Sequence, residues 1–255
     1  MKRILIKLQK NKKAYFAGDF HLGKPSSSIS LQRELKIVNW LDYIKKDAQE
    51  LFLMGDIFDF WFEYKDVRPK ENLLFINKIS ELIKLNINIH YFKGNHDLWM
   101  LDFFKNMGIK LYDDPHLFIL NNKKLLVGHG DGLGKGDYGY KLLKIIFISK
   151  LCQYLYRLIP SKIGIKIGKI WSGSHREVKR DYNSKKNNDR LINYCKNFEK
   201  KNQNDVYIFG HSHHKSKVKI NNNSMYYNAG EWMVGSSYLM FSNDQFKLKK
   251  FNNLS

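Results

Sequence analysis

Apolar residues come in short runs that stop at polar, glycine-bearing turns, and these runs alternate with stretches where they recur every three or four positions. Ile4 to Leu8 and Tyr15 to Phe20 read as two strands joined by the basic turn Lys10 to Lys13. From Ser30 to Lys46, Leu31, Leu35, Val38 and Leu41 recur at helical spacing, which predicts an amphipathic helix with Glu34 and Lys36 turned outward. Leu51 to Met54 is a buried strand by composition, Asn72 to Leu85 a second helix, and Ile87 to Phe92 a further strand. Trp99 to Met107 reads as a short helix, and Leu117 to Leu120 with Lys124 to Val127 as a hairpin around Asn121-Asn122. Strand, helix and strand in alternation imply parallel pairing with right-handed crossovers.

The strands end alike. Tyr15 to Phe20 runs into Gly18-Asp19-Phe20-His21, Leu51 to Met54 into Gly55-Asp56, Ile87 to Phe92 into Gly94-Asn95-His96-Asp97, and the hairpin into Gly128-His129-Gly130-Asp131. The steps from Asp19 to Asp56, Asp56 to Asn95 and Asn95 to His129 are 37, 39 and 34 positions, whereas the next, to His211, is 82. An insertion therefore sits at about residues 134–185 of what is otherwise a single domain spanning 1–255. Its predicted helix, Leu142 to Ile159, has a broad apolar face flanked by Lys141, Lys144, Lys150 and Arg157, a pattern of either a packed helix or one that meets a membrane interface or greasy ligand. Asn188 to Glu199 is the last crossover helix and Val206 to Phe209 leads into Gly210-His211-Ser212-His213. Four short strands up to Lys250 then suggest an antiparallel closing layer.

The charge adds one constraint and the cysteines another. With 44 Lys and Arg against 24 Asp and Glu, a formal +20 suits an anionic partner, although the basic residues form no single dominant block. Cys152 and Cys195 are too few for a disulfide framework, which fits a reducing, cytoplasmic setting. The apolar run at Met1 to Leu8 is too short for a signal peptide, and no window of about 18 residues is free of charge, so a spanning helix is not expected.

Asp19, His21, Asp56, Asn95, His96, His129, His211 and His213 thus fall where one edge of a sheet could gather them. Carboxylate, imidazole and amide oxygen are ligands for Mn²⁺, Zn²⁺ or Fe²⁺ rather than for a thiolate-preferring metal. Seven candidate ligands exceed the needs of one ion and suit two ions that share a carboxylate. Asp-x-His, Gly-Asp, Gly-Asn-His-Asp, Gly-His and Gly-His-x-His, in this order, resemble the five blocks of the calcineurin-like metallophosphoesterases. That resemblance implies an α/β fold, a four-layer αββα sandwich of mixed sheets with a helical lid insertion. It implies two divalent metal ions, Mn²⁺ foremost, one held by Asp19, His21, Asp56 and His213 and the other by Asp56, Asn95, His129 and His211. A water made acidic by the metals would be the nucleophile, with His96, Asp56 and Asn95 at the catalytic centre and His96 stabilising charge or protonating the leaving oxygen.

Gly55-Asp56-Ile57-Phe58-Asp59-Phe60-Trp61, His129-Gly130-Asp131-Gly132-Leu133 with Asp137 and Tyr140 behind it, and the insertion narrow the likeness to the UDP-2,3-diacylglucosamine diphosphatases of lipid A synthesis. The likeness implies an acylated UDP-sugar substrate bound by His96, Asp137, Tyr140 and His211. It also implies a peripheral position on the anionic cytoplasmic face of the inner membrane. One departure stands out: the better-known members of that group carry arginine where this chain has His96, so a broader substrate range stays open. Another metallophosphoesterase substrate, a nucleotide phosphodiester or nucleic acid, is the alternative that the charge favours, and nucleic acid ranks behind the acylated substrate.

Overall fold

In a computed structural model that describes residues 3–24, 26–63, 71–173 and 180–252, the chain folds as two facing sheets between helices. The first half comprises β1 (Ile4–Ile6), β2 (Lys13–Ala17), α1 (Ser27–Ile44), β3 (Ala48–Leu53), α2 (Leu73–Lys84), β4 (Asn88–Phe92), α3 (Phe103–Asn106) and β5 (Lys110–Tyr112). The hairpin β6 (His116–Leu120) and β7 (Lys123–Gly128) leads into α4 (Tyr138–Ile148), α5 (Lys150–Arg157), α6 (Ser161–Gly173) and α7 (Arg180–Glu199). β8 (Val206–Phe209), β9 (Ser216–Lys219), β10 (Met225–Asn228), β11 (Ser237–Ser242) and β12 (Gln245–Lys250) follow.

One six-stranded sheet runs β12-β11-β2-β3-β4-β5, and the other β1-β6-β7-β8-β10-β9. β2 to β5 are parallel to one another, and β7, β8 and β10 likewise. These parallel strands are largely buried because both of their faces are covered. On β2, Tyr15 and Ala17 face one core and Ala14 and Phe16 the other. The first core, with Trp40, Phe75 and Trp232, packs α1 and α2 on their sheet; the second, with Phe52, Phe92 and Phe118, lies between the sheets; the third seats α7 through Leu191 and Cys195. These are the four layers of the expected αββα sandwich. No helix among the described residues is long and apolar enough to cross a membrane.

Several expectations are corrected. Leu31 and Leu35 of α1 are exposed, at 47% and 46%, whereas Glu34 is buried together with Ser30 and Arg33. This helix turns a partly polar face inward because those three side chains bond to neighbouring loops and helices, which repays their burial: the Phe75 N–H donates to Glu34 Oε1 at 2.9 Å, at the start of α2. The helix expected from Trp99 begins only at Phe103, because the Glu63 carboxylate first accepts from the N–H groups of Leu101, Asp102 and Phe103 at 2.8–3.1 Å. The single helix expected from Leu142 to Ile159 is two, broken at Ser149 in an extended conformation, ψ 121°. The last four strands form no common layer: β9 and β10 extend one sheet, β11 and β12 the other.

Candidate metal centre

Two sheets, not one edge, gather the strand ends. β2, β3 and β4 carry Asp19, His21, Asp56, Asn95 and His96 just beyond their carboxyl termini, and β7 and β8 do the same for His129, His211 and His213. The loops approach backbone to backbone: Asp19 N–H donates to Gly55 O (2.9 Å), His21 N–H to Asp56 O (3.0 Å) and Gly210 N–H to His129 O (2.8 Å). Glycine is required for this approach, since a Cβ on Gly55 would stand 2.6 Å from His129 Nδ1, and one on Gly94 would overlap Asp56. Asp19, His21, Asp56, His211 and His213 all have left-handed backbones, with φ between 46° and 64°. Each such non-glycine residue costs on the order of 1 kcal/mol and persists only where its surroundings over-determine it. Five such residues in one cluster mark a built site.

The donors converge. One ligand atom each from Asp19, His21, Asp56 and His213, and one each from Asp56, His129 and His211, lie within 4.8 Å of one another in their group. Asp56 belongs to both groups, its Oδ2 3.8 Å from His21 Nε2 and 3.5 Å from His129 Nε2, and its Oδ1 accepts the His96 N–H at 2.9 Å. Asn95 Oδ1 sits 3.3 Å from His129 Nε2 and 3.0 Å from His211 Nδ1, completing the second group. His21 Nε2 and His213 Nε2 are 3.1 Å apart. His129 donates its Nδ1–H to Met54 O at 2.6 Å, which fixes the ring with Nε2 toward the cluster, as an orienting partner does for a ligating histidine. Asp19, His21, Asp56 and His129 are buried and Asn95, His211 and His213 half-buried, and the set of imidazole nitrogens and carboxylate oxygens fits a divalent cation.

Charge in the cluster is finely divided. Burial lowers His21 and His211 to about 4, which keeps both imidazoles neutral and ready to ligate. At His129 burial acts the same way, but the Asp56 carboxylate overrides it and raises the ring to about 10. Burial also opposes ionisation of Asp56, yet His129 and its neighbours hold the carboxyl well below its ordinary range. Asp97 is raised to about 6 by burial and by Asp56, and it locks the turn, accepting from Gly94 N–H (2.6 Å), Ile57 N–H (3.0 Å) and Tyr91 OH (2.5 Å).

His96 belongs to a third group, with His21 and Asp59, whose ligand atoms also lie within 4.8 Å of one another. Its Nδ1–H donates to Asp59 O at 2.7 Å, and its ring packs edge-on to His21 at 4.9 Å. Asp59 escaped the sequence reading: its Oδ1 is 3.5 Å from His21 Nδ1 and 3.8 Å from Lys24 Nζ. The signal was its place in the same loop, three residues after Asp56. Asp131 was also missed, although it stands two residues after His129 as His21 does after Asp19; Tyr140 OH (2.5 Å) and Lys144 Nζ (2.7 Å) both bond to its Oδ2. Asp137 and Tyr140 sit at the start of α4 outside both donor groups, Asp137 paired with Arg190 at 3.2 Å.

Helices α4 and α5 contain no buried residue, and Leu142, Ile145, Leu151 and Leu158 are each more than 60% exposed. They are tied to the loops of the site. Trp99 donates its Nε1–H to Phe147 O at 2.5 Å, and the Tyr156 ring lies 4.6 Å from Trp99 and 4.7 Å from Phe62. Gly168 of α6 meets the Phe60 ring so closely that a Cβ there would overlap it. The aromatic run after Asp59 thus divides: Trp61 joins the core, Phe62 joins the helices, and Tyr64 lies outside the described residues.

A buried set of carboxylates and imidazoles with left-handed backbones, gathered at the strand ends of an αββα sandwich, makes a candidate centre for a divalent metal. Residues 12–215 match the calcineurin-like phosphoesterase family, and the chain belongs to it. Curated relatives include the UDP-2,3-diacylglucosamine hydrolase of Porphyromonas gingivalis, 27% identical over 258 residues and covering 95% of this chain and 98% of that protein. The Haemophilus influenzae enzyme of the same name (strain PittGG) is 28% identical over 213 residues, 80% of this chain and 84% of that one. Among solved structures, Vps29 of Chaetomium thermophilum is similar at a TM-score of 0.45 and 9% identity, over 93% of this chain and 85% of that chain.

Proposed function

We propose that this hydrolase cleaves the pyrophosphate of UDP-2,3-diacylglucosamine, releasing UMP and 2,3-diacylglucosamine 1-phosphate. The observation that carries the reading is the meeting of two unlike surfaces: a buried donor cluster suited to a phosphoryl centre, and exposed apolar helices fringed by Lys141, Lys144, Lys150 and Arg157. An exposed apolar surface of this kind marks a lipid or partner site, and an amphiphile with a diphosphate would engage both. The names of the relatives support the same substrate.

In this reading residues 1–255 form one domain in which about 134–185 make a lid. Asp19, His21, Asp56 and His213 would hold one divalent ion and Asp56, Asn95, His129 and His211 the other, Mn²⁺ foremost; such a pair, when bound, supplies Lewis-acid activation of water and neutralises phosphate charge. Water adds to the α-phosphorus and the bond to the bridging oxygen breaks, so that oxygen departs with the sugar phosphate. His96, held through Nδ1–H, would as imidazolium donate a hydrogen bond from Nε2 to the phosphoryl or leaving oxygen. Asp137, Tyr140 and His211 bind the glucosamine phosphate end, and α4 to α6 receive the acyl chains at an anionic cytoplasmic membrane face. The test is UMP release from UDP-2,3-diacylglucosamine with and without Mn²⁺, beside a simple aryl phosphodiester. Mn²⁺-dependent preference for the lipid is expected; turnover of the simple ester alone would discard the substrate while keeping the metal centre.

A further inference from the structure

The inward polar face of α1 carries an arginine whose position calls for an explanation. Arg33 is 6% exposed, and its guanidinium spans three carbonyls of the loop that bears the first two candidate ligands. Nη1 donates to Phe20 O (2.9 Å) and His21 O (2.7 Å), and Nη2 to Lys24 O (2.7 Å). One turn earlier on the same face, Ser30 Oγ accepts the Gly23 N–H at 2.6 Å. Between Asp19 and Gly23 the backbone takes three left-handed values, φ 52° at Asp19, 46° at His21 and 104° at Gly23. Two of those three residues are not glycine, so the turn is strained and needs fixed bonds to hold it. The planar fork of arginine supplies several such bonds at set angles, and the side chain of lysine, a single point donor, does not.

We infer that Arg33, seconded by Ser30, is a positioning residue for metal uptake: it holds the carbonyl of His21 so that the left-handed turn presents the imidazole to Asp56 and His213. The inference rests on the metal-centre reading above. It places an orienting residue on α1, twelve positions after His21 and outside the histidine motifs, acting through the backbone of the ligand rather than through its ring.

The test compares three full-length proteins stripped of metal. Mn²⁺ is titrated calorimetrically into wild type, Arg33→Lys and Ile37→Val, and melting temperatures are recorded. Ile37 is a fully buried apolar neighbour on α1, and shortening it costs stability while removing no hydrogen bond to the loop. Arg33→Lys should weaken one Mn²⁺ binding step about 10- to 100-fold, in the range found for orienting partners of metal ligands. It should raise the Mn²⁺ needed for half-maximal activity in parallel while kcat at saturating Mn²⁺ changes only a few-fold. Ile37→Val should lower the melting temperature and bind Mn²⁺ as wild type does. Should Arg33→Lys fail to fold, Ser30→Ala replaces it, with the same direction and a smaller effect. Wild-type Mn²⁺ affinity in the variant, or an equal loss in Ile37→Val, overturns the inference alone; a wild-type chain that takes up no Mn²⁺ overturns it together with the metal reading.

Discussion

The strand-end loops and the helices that follow β7 obey opposite rules. In the loops polar side chains are buried, backbones are left-handed at Asp19, His21, Asp56, His211 and His213, and glycines at 55 and 94 let the chains touch. In α4 and α5 no residue is buried, and the exposed surface is leucine, isoleucine and tyrosine. A fold gains nothing in stability from either arrangement, since holding buried carboxylates and imidazoles on left-handed backbones and exposing apolar surface both cost free energy. Each makes sense as function, the first as a cation cage and the second as a surface for something apolar. The difference also separates two roles: the loops would set the rate, and the helices the choice of substrate.

Removing the residue shared by both donor groups tests the first half most severely. Asp56→Ala should lower kcat/KM by about 1,000-fold or more, equivalent to roughly 4 kcal/mol of transition-state stabilisation, and abolish stoichiometric metal binding. Both readouts are needed, by kinetics and by elemental analysis of the purified protein. A variant that still carries two metals would overturn the bridging assignment whatever its rate.

The helices respond to a different change. Ile146, Leu151 and Leu155 are 45%, 65% and 52% exposed, so replacing all three with serine should leave the melting temperature within a few degrees of wild type. KM for an acylated substrate should rise roughly 10- to 100-fold, given about 1–3 kcal/mol for lost apolar contact, while kinetics on a small phosphodiester stay level. Equal effects on both substrates would assign these side chains to packing and erase the contrast between the two regions.

How legible each region was follows from the same contrast. The ligands stood out because each follows an apolar run and a glycine, and Asp19, Asp56 and Asn95 recur at near-equal spacing. Their left-handed backbones did not show, for Asp and His adopt a positive φ more readily than most residues but do not require it. That β1 and β2 enter different sheets was equally hidden, since neighbouring strands usually pair. Periodicity misjudged α1 because Ser30, Arg33 and Glu34 find partners in segments distant along the chain. It also ran α4 and α5 together, because the carbonyl of Phe147 is claimed by the indole of Trp99 and by the Gln153 amide at 3.1 Å. Errors fell where a side chain from elsewhere captures a backbone group, which a local pattern cannot register.

The smallest predicted effect concerns a buried polar group that resembles the ligands in burial but has an ordinary strand backbone. His90 on β4 is fully buried, 2.9 Å from both Glu50 Oε2 and Tyr112 OH, and stacked on Phe52 at 4.5 Å. Burial lowers its pKa against the pull of Glu50, so below the ordinary histidine range near 6.5 the unfolded chain binds the proton more readily than the folded one. Its contribution to stability is present above that range and is lost as pH falls through it toward the lowered folded value, with a slope of at most about 1.4 kcal/mol per pH unit. His90→Gln keeps polar atoms there but cannot titrate. Melting curves from pH 7.5 to 5 should give a variant less stable at neutral pH, from lost stacking, and less sensitive to acid than wild type, with Mn²⁺ affinity unchanged. An unchanged acid slope would mean that His90 takes up its proton over the same pH range in the folded and the unfolded chain. A lost Mn²⁺ site would tie this cluster to the loops and make burial, rather than backbone strain, the mark of the functional residues.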